Sequence, residues 1–104
     1  MIGRRSRFAD VIRRQLDGFE REHADVIDEA RAKLDAYNAA ARDEAEELYG
    51  DYLDALETGT EILADLRDNY AQTLEDPLAE DYLRDFDRAV GKRLAPFRLE
   101  LENR

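Results

Sequence analysis

Apolar residues recur at steps of three and four along almost the whole chain. The longest run goes from Phe8 to Leu56, a second from Ile62 to Leu74 and a third from Leu78 to Leu101. This spacing places the apolar side chains on one face of a helix. No stretch alternates with the period of two that a half-buried strand needs, and β-branched residues are few. The pattern therefore predicts an all-helical (all-α) protein.

Residues that start or stop helices divide this pattern. Thr58-Gly-Thr-Glu61 fits a capping box, in which the threonine and glutamate side chains bond each other's backbone amides, so we expect a helix to begin there. Asp76-Pro77 ends that helix, because proline has no amide proton, and can open the next one. Pro96 should kink or terminate the last helix near Ala95. We predict helices over about residues 6–57, 59–75 and 78–95 or beyond, in a single helical domain spanning 1–104.

Glycines leave the length of the helices open. Gly18 and Gly50 are weak signals, since glycine costs a helix interior only about 1 kcal/mol relative to alanine, so a bend is possible at either. An apolar repeat of eleven residues also crosses Gly59, so one uninterrupted helix reaching residue 75 is an alternative. The repeat consists of Phe8, Phe19, Ala30, Ala41, Tyr52, Leu63 and Leu74.

The predicted first helix would form a rod of roughly 75 Å at 1.5 Å per residue. A chain of 104 residues can cover such a rod only if the later helices fold back along it, which predicts a long-helix hairpin or a three-helix antiparallel bundle. Much of the apolar stripe would still be exposed, and a second copy of the chain is the simplest partner to cover it. We therefore expect a homodimer.

Composition limits the chemistry. The 104 residues include no cysteine, which excludes disulfide scaffolds, cysteine zinc sites and thiol catalysis. No stretch approaches the roughly 20 apolar residues of a membrane span, and the basic start lacks the apolar stretch of a secretory signal. We therefore expect a cytoplasmic protein. Phosphate loops, nucleophile elbows and histidine pairs for zinc are absent from the sequence as well, which favours a non-enzymatic function.

Charge is unevenly distributed along the chain. Residues 1–14 carry five arginines and one aspartate, residues 15–83 carry five basic and twenty-one acidic side chains, and residues 84–104 carry six basic and four acidic ones. The acidic middle would repel phosphates, so a nucleic-acid partner is not expected. Opposite charges favour packing of the basic ends near acidic segments, within one chain or across a dimer. The net charge of −10 also promotes solubility.

Glu20-Arg-Glu-His23 is a motif that combines metal-ligating residue types at a helical spacing. Glu20 and His23 share one face of the predicted helix, and this Glu-x-x-His spacing resembles half of the di-iron or di-manganese site of ferritin-like bundles. Glu44, on the core-facing side, is the candidate for a further ligand. Since the full site needs two such elements, the resemblance implies a dimer that binds iron or manganese. The alternative is that His23 is a core side chain bonded to a carboxylate.

The N-terminal segment, residues 4–19, allows another interpretation. Phe8, Val11, Ile12, Leu16 and Phe19 form one apolar face, and arginines crowd the other faces. A basic amphipathic helix of this kind can lie on an anionic membrane or on an acidic partner. Because the same stripe continues into the acidic part of the chain, we favour the start of the bundle core over membrane binding.

Tyrosines lie on or beside the apolar stripes at Tyr37, Tyr49, Tyr52, Tyr70 and Tyr82. In a helical bundle such residues pack their rings inward and bring their hydroxyls to the rim, so they do not require a ligand pocket. The sequence as a whole favours a non-enzymatic helical interaction or structural module that self-associates and carries no cofactor.

Overall fold

The computed structural model describes residues 7–104, and this part of the chain is all-helical, as predicted. The start of the first predicted helix at residue 6, and Arg4 and Arg5 of the basic segment, lie outside the described residues. The helices are α1 (Ala9–Glu22), α2 (Ala24–Asn38), α3 (Ala45–Ala71), α4 (Asp76–Arg93) and α5 (Arg98–Glu102), with a 3₁₀ turn (Ala95–Phe97) between α4 and α5.

The predicted single helix over residues 6–57 is wrong, and its first interruption is at His23. The backbone of His23 has φ −125° and ψ 34°, which lies outside the helical region and ends α1. The carbonyl oxygen of His23 accepts hydrogen bonds from the amides of Val26 and Ile27, at 3.0 and 3.2 Å, so α2 starts directly after this break. The change of direction between α1 and α2 therefore needs only one non-helical residue, His23.

The second interruption is the connection over residues 39–44, where α2 ends and the chain reverses. This connection is rich in alanine, the residue that most favours helix, so local preference does not explain the break. The reversal brings the ring of Tyr37 within 5.1 Å of the ring of Tyr49 and lays α2 along α3. Tertiary pairing of the two apolar stripes thus outweighs local helix propensity.

The predicted helix start near residue 59 is also wrong, because α3 runs without a break through Gly50 and Gly59. Of the alternative, one helix reaching residue 75, only the continuity across Gly59 is confirmed, since α3 begins at Ala45 and ends at Ala71. The hydroxyl of Thr58 donates to the carbonyl of Asp54 at 3.5 Å, so it does not cap a helix end. A Thr-x-x-Glu pattern caps a helix only where backbone amides lack hydrogen-bond partners. Inside α3 the amides already have partners within the helix.

The two prolines act near the predicted positions. Pro77 lies in the first turn of α4, where its missing amide proton is not needed. The preceding helix ends at Ala71, four residues earlier than the predicted 75, and the last long helix runs from Asp76 to Arg93 instead of 78 to about 95 or beyond. Pro96 lies in the 3₁₀ turn that redirects the chain into α5.

The core lies where α1, the second half of α3, α4 and the C-terminal turn meet. The C-terminal turn is residues 94–102, which include the 3₁₀ turn and α5. Tyr70 packs on Tyr82 with ring centroids 4.7 Å apart, and α3 and α4 are antiparallel. Phe8 contacts Tyr82 near the start of α4, and Glu20 pairs with Arg93 near its end, so α1 and α4 are parallel. The buried apolar residues are Phe8, Ile12, Leu16, Phe19, Ala30, Leu56, Leu63, Ala64, Tyr82, Phe86, Val90, Leu94, Phe97 and Leu101.

A buried arginine connects three of these elements. Arg67 on α3 is only 5% exposed, and its Nη1 donates to the Asp87 carboxylate at 2.9 Å and to the Leu101 carbonyl at 3.2 Å. Its Nε donates to Asp68 at 2.8 Å. Burial raises the pKa of Asp87, and the hydrogen bond from Arg67 opposes that rise. Arg67 thus holds α3, α4 and α5 together through one charged group.

Candidate functional site

Two helices extend beyond the core as an arm, defined here as residues 24–55: α2, the connection and the first part of α3. Tyr37 at the end of α2 contacts Tyr49 near the start of α3, whereas Val26 near the start of α2 lies beside Thr58 further along α3, so the pair is antiparallel. No residue from 31 to 55 is buried. The molecule measures 51 × 31 × 23 Å, with a radius of gyration of 15.7 Å, against about 13 Å for a compact 100-residue domain.

The arm keeps apolar side chains at its surface. Tyr49 and Leu53, one helical turn apart on α3, are 44% and 38% exposed. Tyr37 and Tyr52 are half-buried, and the Tyr49 ring lies between them, 5.1 Å from Tyr37 and 6.2 Å from Tyr52. Partial burial raises the pKa of the Tyr52 hydroxyl, with a smaller contribution from Tyr49. The three rings thus lie side by side, and the arm's two helices leave Tyr49 and Leu53 exposed.

A small notch lies at the base of the arm, where it meets the C-terminal turn. Its volume is about 130 Å³, and Arg31 and Arg93 stand at its rim among apolar neighbours. The apolar lining consists of Ile27, Ala30, Leu34, Tyr52, Leu94, Pro96 and Phe97. The half-buried Tyr52 of the arm and residues of the C-terminal turn thus line the same notch.

A wider groove of about 490 Å³ separates α1 from α4 on the body of the molecule. Arg93 stands at one end of it, where its guanidinium donates to both oxygens of Glu20, at 2.8 and 3.0 Å, and to Asp17. The hydrogen bond from Arg93 holds the pKa of Asp17 below its usual value. These bonds tie α1 to α4. The groove is lined by Ala9, Ile12, Arg13, Leu16, Asp85, Arg88, Ala89, Lys92 and Arg93.

The three predicted metal ligands are not brought together in the single chain. Glu20 is engaged by Arg93, His23 stacks on Phe19 with ring centroids 5.5 Å apart, and Glu44 is exposed just before α3. Among residues 7–104, no three His, Cys, Asp or Glu side chains lie close enough to hold a metal ion. The iron or manganese site required a second copy to complete it, and that dimeric site stays a prediction.

The apolar face of the basic N-terminal segment packs against the core. Phe8, Ile12, Leu16 and Phe19 are buried, so this face of α1 is not open to lipid in the folded chain. None of the helices described over residues 7–104 is both long and apolar enough to cross a membrane.

Sequence reasoning missed Arg67 and the pairing of Arg93 with Glu20. A signal for Arg93 existed in the charge distribution, which predicted that the basic end of the chain packs near acidic segments. Arg67 gave no signal, because it is one of five basic residues in the acidic middle. No family model, no curated protein and no solved structure matches this chain.

Proposed function

We propose that this protein is a non-enzymatic helical interaction module that self-associates through the α2–α3 arm. The observation that supports it is that no residue from 31 to 55 is buried, although this segment carries the middle of the apolar stripe. Two helices can cover only the faces that they turn toward each other. The outer apolar surface around Tyr49 and Leu53 therefore contributes to the stability of the protein only when a partner covers it.

A second copy is the proposed partner because every copy leaves the same surface uncovered, so each copy can cover the arm of the other. Closed two-fold dimers are the commonest soluble homo-oligomers, and they bury equivalent patches from both copies. An isolated two-helix layer is also marginal in water, since most helical stability in proteins comes from packing of an apolar face. Association would therefore stabilise the arm as well as join the two chains.

Sedimentation of the full chain tests this function. We expect the wild type to sediment as a dimer of the 12.1 kDa chain at micromolar concentration. The double variant Tyr49→Glu, Leu53→Glu should be monomeric with unchanged helix content by circular dichroism, because two carboxylates would have to be buried in the interface.

The matched control adds the same charge elsewhere. Gln72→Glu with Asn103→Glu alters two exposed polar residues outside the arm and should leave the dimer intact. A monomeric wild type would contradict the proposed function, as would a double variant Tyr49→Glu, Leu53→Glu that dimerises as tightly as the control.

A further inference from the structure

The groove between α1 and α4 concentrates positive charge in a strongly acidic protein. Arg13, Arg88, Lys92 and Arg93 line it, whereas Asp85 is the only carboxylate among the described residues that do so. Arg93 is engaged by Glu20 and Asp17, and Arg13 is 3.5 Å from Asp10 in an exposed pair. Arg88 and Lys92 form no ion pair with any of residues 7–104.

The walls of this groove are two helices, α1 and α4. Its lining residues on α4 follow helical spacing, with Arg88, Ala89 and Lys92 on one face, and those on α1 do the same with Ile12 and Leu16. Ridges of a third helix pack into the space between two neighbouring helices. A helix that fills it needs an apolar ridge for the floor and acidic side chains for Arg88 and Lys92.

The arm has the complementary composition. Residues 24–55 carry ten acidic and three basic side chains, and Tyr49 and Leu53 are exposed apolar residues among them. Glu46 lies three residues before Tyr49 on α3, and Leu53 follows four residues later, so one helix face presents a carboxylate beside two exposed apolar side chains. This face of α3 therefore offers the apolar ridge and the acidic side chain that a helix in the groove needs.

We infer that the acidic arm of one copy docks into the basic α1–α4 groove of a second copy. This inference rests on the proposed self-association and names the surface that receives the arm. Each copy presents one arm and one groove, so a two-fold axis satisfies both contacts at the same time. Electrostatic complementarity of this kind sets orientation and favours the correct partner over others.

Charge reversal in two separate variants tests the docking in the full chain. The groove variant is Arg88→Glu, Lys92→Glu, and the arm variant is Glu46→Lys, Glu47→Lys, which changes two exposed residues of the first turn of α3. In each variant, like charges face each other across both contacts. We expect the dissociation constant of each homodimer to rise by at least about tenfold at low salt.

An equimolar mixture of the two variants provides the decisive measurement. In the mixed dimer, the negative groove meets the positive arm and the unchanged groove meets the unchanged arm. We expect the mixture to form heterodimers with an affinity close to that of the wild type. The control Arg21→Glu, Arg84→Glu reverses two exposed arginines outside the groove and should still dimerise.

Other outcomes separate this inference from the proposed function. If the wild type and the groove variant dimerise equally well, self-association stands and the groove is not the docking site. A mixture that stays monomeric also contradicts the docking, whereas a monomeric wild type contradicts the proposed function itself. Salt gives a test without variants, because raising ionic strength should weaken the wild-type dimer, and a salt-independent dissociation constant would overturn the docking.

Discussion

The ring of Phe97 occupies the space that a side chain at Gly59 would need. A Cβ placed on Gly59 would lie 2.4 Å from Cε1 of Phe97, which is far closer than two carbon atoms approach. Phe97 is itself buried, so its ring cannot turn out into solvent. The absence of a side chain at Gly59 thus lets the C-terminal turn pack directly on α3.

Gly59→Ala should therefore destabilise the protein, although alanine is the better helix former. We expect the free energy of unfolding to fall by about 1–3 kcal/mol, the usual cost of overpacking a core. Gly50→Ala is the control, since nothing lies within 4 Å of its Cβ position, and it should gain about 0.5–1 kcal/mol. Urea unfolding at one fixed protein concentration measures both, and a stabilising Gly59→Ala would show that the ring packs elsewhere.

Arg67→Ala should be among the more damaging single changes. It leaves the Asp87 carboxylate without its cation in a largely buried position, so we expect a loss of about 3 kcal/mol in unfolding free energy. Arg84→Ala removes an exposed ion pair of 2.6 Å to Asp81 and should change stability by no more than about 0.5 kcal/mol. Equal effects of the two variants would mean that Arg67 does not hold the elements together.

The bond between Arg93 and Asp17 predicts a pH dependence at the acid end. The pKa of Asp17 is lower in the folded chain than its ordinary value of 3.8, so its contribution to stability is present above that value and is lost as pH falls through the lowered pKa. In Arg93→Gln the pKa of Asp17 should return toward 3.8, as measured by NMR titration of its carboxyl carbon. The control Arg84→Gln should leave the lowered pKa of Asp17 unchanged. An unchanged pKa of Asp17 in Arg93→Gln would exclude the bond between Arg93 and Asp17 in solution.

Tyr82 predicts a pH dependence at the alkaline end. Burial raises the pKa of its hydroxyl from 10.0 to about 12, partly offset by the hydrogen bond to Gln15 at 2.9 Å. Because the pKa of Tyr82 is higher in the folded than in the unfolded chain, its contribution to the free energy of unfolding is fully present below the unfolded pKa. That contribution is lost as pH rises from 10 toward 12.

Tyrosinate absorbance should accordingly show a last ionisation step near pH 12, and Tyr82→Phe should remove that step. The same substitution should flatten the loss of stability above pH 10 at a cost of about 1 kcal/mol for the missing hydrogen bond. If an ionisation step near pH 12 persists in Tyr82→Phe, the burial of Tyr82 is contradicted.

Helical class could be predicted from the sequence because apolar spacing reports it directly, but helix ends could not. The stripe passes through Phe19, His23 and Ile27 at steps of four, so periodicity does not register the break at His23. The reversal over residues 39–44 depends on the contact between Tyr37 and Tyr49, which only the folded chain contains. Long-range pairing decides where these helices end.

Only part of the candidate site could likewise be predicted from the sequence. Excess apolar surface was predicted by comparing the stripe with the chain available to cover it, and residues 31–55 are a segment of that stripe in which no residue is buried. The partner of Glu20 could not be predicted, because Arg93 lies 73 residues away and many other cations were equally eligible. Charge segregation indicates that opposite charges pair, and only packing selects which ones.

Small-angle X-ray scattering of the wild type across a concentration series tests self-association most directly. We expect the forward scattering to give twice the 12.1 kDa chain mass at micromolar concentration and above. The radius of gyration should exceed the 15.7 Å of one chain and fall toward it on dilution. A mass of one chain at every concentration, with the dimensions of a single copy, would contradict the account.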